Sequence, residues 1–136
     1  MTPIEEAICE IEKSDDLLIK VDGDFDIRDI TFLLNDRDYH AIIIDRAPVN
    51  SRETLMHAMY QNLRFPGYFG FNWDSLKDIL AGMDGVRGKG FIFAFSDLSL
   101  LSKEDLDEFL EVIEEANELR EPHEALEKLR VLALKS

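Results

Sequence analysis

The chain has a single cysteine, Cys9, in 136 residues. No disulfide can form within it, so a reducing compartment is the default expectation. It contains no apolar stretch approaching the ~20 residues that span a bilayer. Its first residues do not combine a basic segment with an apolar run, so no signal peptide is apparent. These absences lead to the expectation of a cytoplasmic protein. The three histidines, His40, His57 and His123, are scattered without metal-ligand spacing. The glycines of "GMDGVRGKG" (82–90) lack the spacing of a phosphate-binding loop and precede a strand rather than a helix. No nucleophile–base arrangement can be read, and no cofactor is expected. Basic residues are also scarce: 15 Lys and Arg against 29 Asp and Glu give a net charge of −14. Such a chain is a poor partner for nucleic acid, whose phosphates need Lys and Arg, and for an anionic membrane. A basic protein partner, or a plain need for solubility, suits the charge.

What the sequence does have is enough apolar content, 46%, to fold in spite of that charge. Its length fits one domain. Thr2-Pro3-Ile4-Glu5 reads as a capped helix start, with Ile4, Ile8 and Ile11 on one face. Leu17–Val21 reads as a strand, and "IRDITFLLNDR" after the turn "DGDFD" reads as a short helix. Tyr39–Asp45 holds three consecutive isoleucines, the pattern of a buried strand. Asn50-Ser51-Arg52-Glu53 signals another helix, with Leu55, Met56 and Met59 inward. Pro66-Gly67 marks a turn, and Asn72 is a suitable N-cap. Trp73, Leu76, Leu80 and Met83 then form a helical stripe, ended by Gly82 and Gly85. Gly90–Phe95 is a buried strand. Ser102 caps a long helix to about Leu119, Pro122 interrupts before a short helical piece, and Leu129–Lys135 closes as a strand. Alternating strands and helices predict an α/β fold around a mostly parallel sheet packed with helices. The sheet has three or four strands, depending on whether Leu17–Val21 joins it.

The stretch "YFGFNWDSLKDIL" (68–80) concentrates the candidate chemistry. Asp74 and Asp78 stand four apart on the face opposite Trp73 and Leu76. Asp74 lies in the first turn, where the helix dipole favours a carboxylate. Asp78 lies beyond it, and like charges at this spacing cost an isolated helix about 0.2–0.5 kcal/mol. Spacing alone fits a solvated helix face as well as a binding surface. Phe65, Tyr68, Phe69, Phe71 and Trp73 add a cluster of rings. Phe69 and Trp73 suit a core, whereas Tyr68 and Phe71 flank Gly70 in a loop and are harder to bury; exposed rings of this kind mark interfaces. The aspartates of "DGDFD" alternate as in a calcium loop, but Ile27 and Leu33 stand where that loop needs Gly and Glu, which leaves a polar turn. A metal-dependent hydrolase using Asp45, Asp74 and Asp78 is one further reading of the carboxylates.

The residues 68–82 resemble the signature of barstar-type ribonuclease inhibitors: Tyr68, Phe69, Gly70, Asn72, Asp74, Leu76, Asp78, Leu80 and Gly82 all match, and the order of elements from residue 40 to 136 agrees. The resemblance implies a barstar-like domain over 40–136, with residues 1–39 as an N-terminal extension that adds a helix and an extra strand to the same domain. It implies a non-enzymatic inhibitor that plugs the active site of a basic ribonuclease, in a toxin–antitoxin or immunity role. It also implies partner contacts by Tyr68, Gly70, Asn72, Asp74, Asp78 and Glu115, with Asp78 as the main anchor. The chain departs from the family pattern at Phe71, often acidic there, at Lys77, often a large aromatic, and at Met83. A barstar-like module bound to another basic protein without inhibiting it is the alternative. Oligomeric state and the identity of the partner enzyme do not follow from the sequence.

Overall fold

A computed structural model of the chain describes residues 2–83, 89–120 and 128–135. The helix end expected at Gly85 and the short helix expected after Pro122 lie outside the described residues. Nine elements follow in order: α1 (Pro3–Lys13), β1 (Leu18–Asp22), α2 (Ile27–Asp36), β2 (His40–Ile43), α3 (Arg52–Leu63), α4 (Trp73–Ala81), β3 (Phe91–Phe95), α5 (Lys103–Arg120) and β4 (Leu129–Lys135). The helices start where side-chain caps were legible. Thr2 and Glu5 form a reciprocal capping box, and Ser51 and Thr54 form another. Ser102 Oγ accepts from the Asp105 amide at 3.1 Å.

The four strands form one sheet in the order β1-β4-β3-β2, and all three pairings are parallel. The expectation of an α/β fold holds, and the optional strand is the fourth member of the sheet. β3 is central and buried throughout. Its residues alternate between the two faces, as the period of a strand requires. Phe91, Phe93 and Phe95 enter a core shared with Leu55, Met59, Leu76, Leu80, Phe109 and Ile113 from α3, α4 and α5. Ile92 and Ala94 enter a second core with Ile8, Ile11, Ile30 and Leu34 from α1 and α2. Each fully buried Phe or Ile contributes about 1.5–3 kcal/mol relative to exposure.

One expectation needs correction. The isoleucine run 42–44 is expected to be a buried strand of a parallel sheet; β2 does pair in parallel with β3, but it lies at the sheet edge and of the three isoleucines only Ile44 is fully buried. Ile42 and Ile43 are accordingly only partly buried. A run of β-branched residues reports apolar neighbours above and below the strand, not its place in the sheet order.

Polar side chains lock the layers. Arg130 of β4 is buried, and its Nη1 donates to the carbonyl of Ser14, the residue that caps the C-terminus of α1, at 2.6 Å. Asn35 of α2 exchanges two bonds with the Ala41 backbone, at 3.1 and 2.9 Å. Asp45 accepts from the Ser96 amide, the Ser96 hydroxyl and the Asp97 amide at 2.8, 2.7 and 2.9 Å, tying together the ends of β2 and β3. Residues 2–38 thus supply the edge strand β1 and the helices α1 and α2, which cover the second face of the sheet.

Candidate binding surface

The surface centred on α4 begins with how that helix is held. Leu76 and Leu80 have no exposure at all, and Trp73 and Met83 pack partly against the same core. Turning those residues inward leaves Asp74 and Asp78 exposed. With a rise of 1.5 Å per residue the two carboxylates stand about 6 Å apart along the axis. The C-terminus of α4 is pinned by Arg120, which is 3% exposed and donates from Nη1 to the carbonyl of Met83 at 2.5 Å and to that of Leu80 at 3.4 Å. A guanidinium at a helix C-terminus satisfies carbonyls that have no partner within the helix. The orientation of α4 is therefore fixed from α5 as well as from the core.

The N-terminus of α4 is built by the preceding loop. Asn72 Oδ1 accepts from the Ser75 amide at 2.8 Å, and Asn72 Nδ2 donates to the Gly70 carbonyl at 3.2 Å. One side chain both caps the helix and closes the turn before it. A Cβ at Gly70 would stand 2.7 Å from Ser75 Oγ and 2.9 Å from Asn72 Nδ2, so a side chain there displaces the cap. Phe71 takes a left-handed conformation, φ 51°, which costs a non-glycine residue roughly 1–2 kcal/mol. That backbone carries its ring back onto α3, with centroids 4.6 Å from His57, 5.2 Å from Tyr60 and 4.8 Å from Phe69. Phe69 continues the ring cluster to Phe65, edge to face at 5.1 Å. Buried Phe69 and half-covered Phe71 anchor the loop, while Tyr68 between Gly67 and Phe69 is 83% exposed.

Tyr68 and Asp78 line the same cleft of about 370 Å³, together with Arg64, Phe65 and Met83. Phe71 and Asn72 border a separate cleft of about 280 Å³ with His57 and Trp73. The structure thus brings together Tyr68, Gly70, Asn72, Asp74 and Asp78 on one loop and helix. Glu115 comes to the same helix from α5, and it does so through Lys77, whose Nζ lies 3.5 Å from its carboxylate. Among the described residues no three His, Cys, Asp or Glu side chains group as metal ligands. Asp45, which a hydrolase reading joins to Asp74 and Asp78, is engaged with Ser96 and Asp97 instead.

Three residues of this surface escaped sequence reasoning. Arg64 is the left-handed C-cap of α3, φ 54°, and lines the Tyr68–Asp78 cleft. Arg120, the last residue of α5, is buried beneath α4. His57, exposed on α3, is a ring on which Phe71 rests. Only the positive charge at the end of α5 gave any signal, since cations favour helix C-termini.

A small α/β protein with a rigid, acidic loop and helix on its surface is the class these features define. The chain belongs to the barstar (barnase inhibitor) family, whose model matches residues 39–132. The match spans β2 to β4 and includes the whole loop–helix surface, whereas α1, β1 and α2 precede it. No curated protein matches the chain in sequence. No helix among the described residues is long and apolar enough to cross a membrane.

Proposed function

We propose that this chain is a protein inhibitor that binds the active site of a basic ribonuclease through the loop and helix 68–78. The observation that carries the reading is that Asp74 and Asp78 project together from a helix whose opposite face is locked into the core. Family membership supports the same reading. Asp78, beside Tyr68 in one cleft, is the anchor for an arginine or catalytic cation of the enzyme, because a carboxylate accepts paired bonds from a guanidinium. Asp74 adds charge, and Tyr68, the Gly70 backbone and Asn72 fill the rest of the contact. Inhibition needs no covalent bond and no cofactor, and a cytoplasmic immunity role against a ribonuclease toxin fits a chain with one cysteine and a charge of −14. The test is titration of barnase, and of other small basic ribonucleases, with the purified chain. The reading expects activity to fall to zero at one equivalent, with an association rate that drops steeply as salt rises. Full activity of every such enzyme at micromolar excess of the chain contradicts it.

The exposed ring of Tyr68 and the partly exposed ring of Phe71 favour a second reading, a module of the same fold that binds a basic protein other than a ribonuclease. Recovery of a tight complex with a basic protein whose activity is unaffected selects that reading.

A further inference from the structure

The one cation on the exposed side of α4 is Lys77, between Asp74 and Asp78 in sequence. It reaches toward α5, where its Nζ stands 3.5 Å from a Glu115 carboxylate oxygen, both side chains being partly exposed at 30% and 43%. The net charge of this pair is zero. Asp74 and Asp78 make no ion pair among the described residues, so their charge is free to act outward. The acidic surface is therefore uneven: two free carboxylates lie on α4, and a neutralised pair borders them on the α5 side. Exposed aromatic surface lies next to Asp78, where Tyr68, 83% exposed, lines the same cleft. An ion pair of this exposure adds little to stability. It changes what a partner meets, because charges at the rim of a contact govern encounter and register.

We infer that Lys77 withdraws Glu115 from binding and so sets the kind of partner this surface accepts, an inference that rests on the inhibitor reading above. The fitting partner is a basic protein with a compact cationic centre facing Asp74 and Asp78. Beside that centre it carries an apolar patch for Tyr68, and it places no cation opposite the Lys77–Glu115 pair. A partner with a broad cationic face is discriminated against, since its outer cation meets a neutralised pair and finds no free carboxylate there.

The test is a double-mutant cycle with barnase as the probe, on the whole chain and its Lys77→Ala, Glu115→Ala and doubly substituted forms. Thermal melting verifies that all four fold. With Kd measured at about 0.5 M salt, where the Lys77 charge left unpaired by the substitution is largely screened, Glu115→Ala should change the Kd of the otherwise native chain less than twofold. In the Lys77→Ala background the same substitution is expected to weaken binding at least about fivefold. Lys77→Ala alone tightens binding, chiefly by faster association. At that salt a tenfold loss on Glu115→Ala in the otherwise native chain, or an effect of Glu115→Ala independent of Lys77, overturns it. If none of the four forms binds barnase, the inhibitor reading fails for that enzyme. The inference is then decided by adding hexa-arginine and following the Glu115 amide by NMR. A shift confined to the Lys77→Ala form supports it, and equal shifts in both forms overturn it.

Discussion

Replacing Phe71 by alanine and by glycine separates the two things this residue does. Its ring is 41% exposed, so rather more than half of its surface is covered by His57, Tyr60 and Phe69. Full burial of a Phe side chain is worth about 1.5–3 kcal/mol, and half of that gives about 1–1.5 kcal/mol. Aromatic contacts add about 0.5–1.5 kcal/mol beyond area. Phe71→Ala should therefore cost about 1.5–3 kcal/mol. The alanine keeps the left-handed backbone at φ 51° and its penalty of roughly 1–2 kcal/mol. Glycine removes that penalty but adds about 0.4–1 kcal/mol of chain entropy in the unfolded state. Phe71→Gly should end about 0.5–1 kcal/mol more stable than Phe71→Ala, the reverse of the usual order of the two residues. Urea unfolding measures both. With a slope of about 1–3 kcal/mol per molar urea, the alanine midpoint should fall by about 1 M. An alanine variant as stable as the native chain, or a glycine variant below the alanine one, refutes the ring-anchored, left-handed loop.

Further outcomes follow from the same surface and from its surroundings. Asn72→Ala removes the cap of α4 and the bond to the Gly70 carbonyl, and should cost about 0.5–2 kcal/mol in thermal or urea unfolding. The Ser99 hydroxyl, and after it the Ser99 amide, hold the Asp97 carboxyl below the ordinary aspartate range. A lowered folded pKa adds stability that is present above the unfolded value near ~3.9 and is lost as pH falls through the lower folded one. An NMR titration of Asp97 should show this depression, and Ser99→Ala should raise the midpoint. Phe69→Ala, at the centre of the ring stack and 4% exposed, should cost about 3–5 kcal/mol in the same unfolding assay.

Local chemistry was legible where it acts over a few residues. The caps at Thr2, Ser51, Asn72 and Ser102 lie where short-range hydrogen bonding puts them, and each starts a helix. The α4 stripe showed which face of 68–80 would be free before any packing was known. The sheet order was not legible, because periodicity carries no information about neighbours, and β2 with Ile42 and Ile43 proved to lie at an edge. The same limit hid the pairing of Lys77 with Glu115 and the burial of Arg120 under α4. These contacts join distant segments and depend on how α4 and α5 cross. Nor does a sequence disclose that Phe71 adopts a left-handed backbone, a conformation more often given to Gly or Asn. The signature of 68–82 pointed to the family because it lies within one loop and one helix.

The central claim is that Asp78 anchors a basic enzyme, and it is tested most directly by the affinity of Asp78→Ala for a ribonuclease that the native chain inhibits. Calorimetric titration should show a loss of about 2–5 kcal/mol, the range for removing one member of a buried, hydrogen-bonded charge pair. Because the Asp78 side chain is exposed and off the core, the melting temperature should stay within a few degrees of the native one. An affinity unchanged by Asp78→Ala, with the fold intact, contradicts the account.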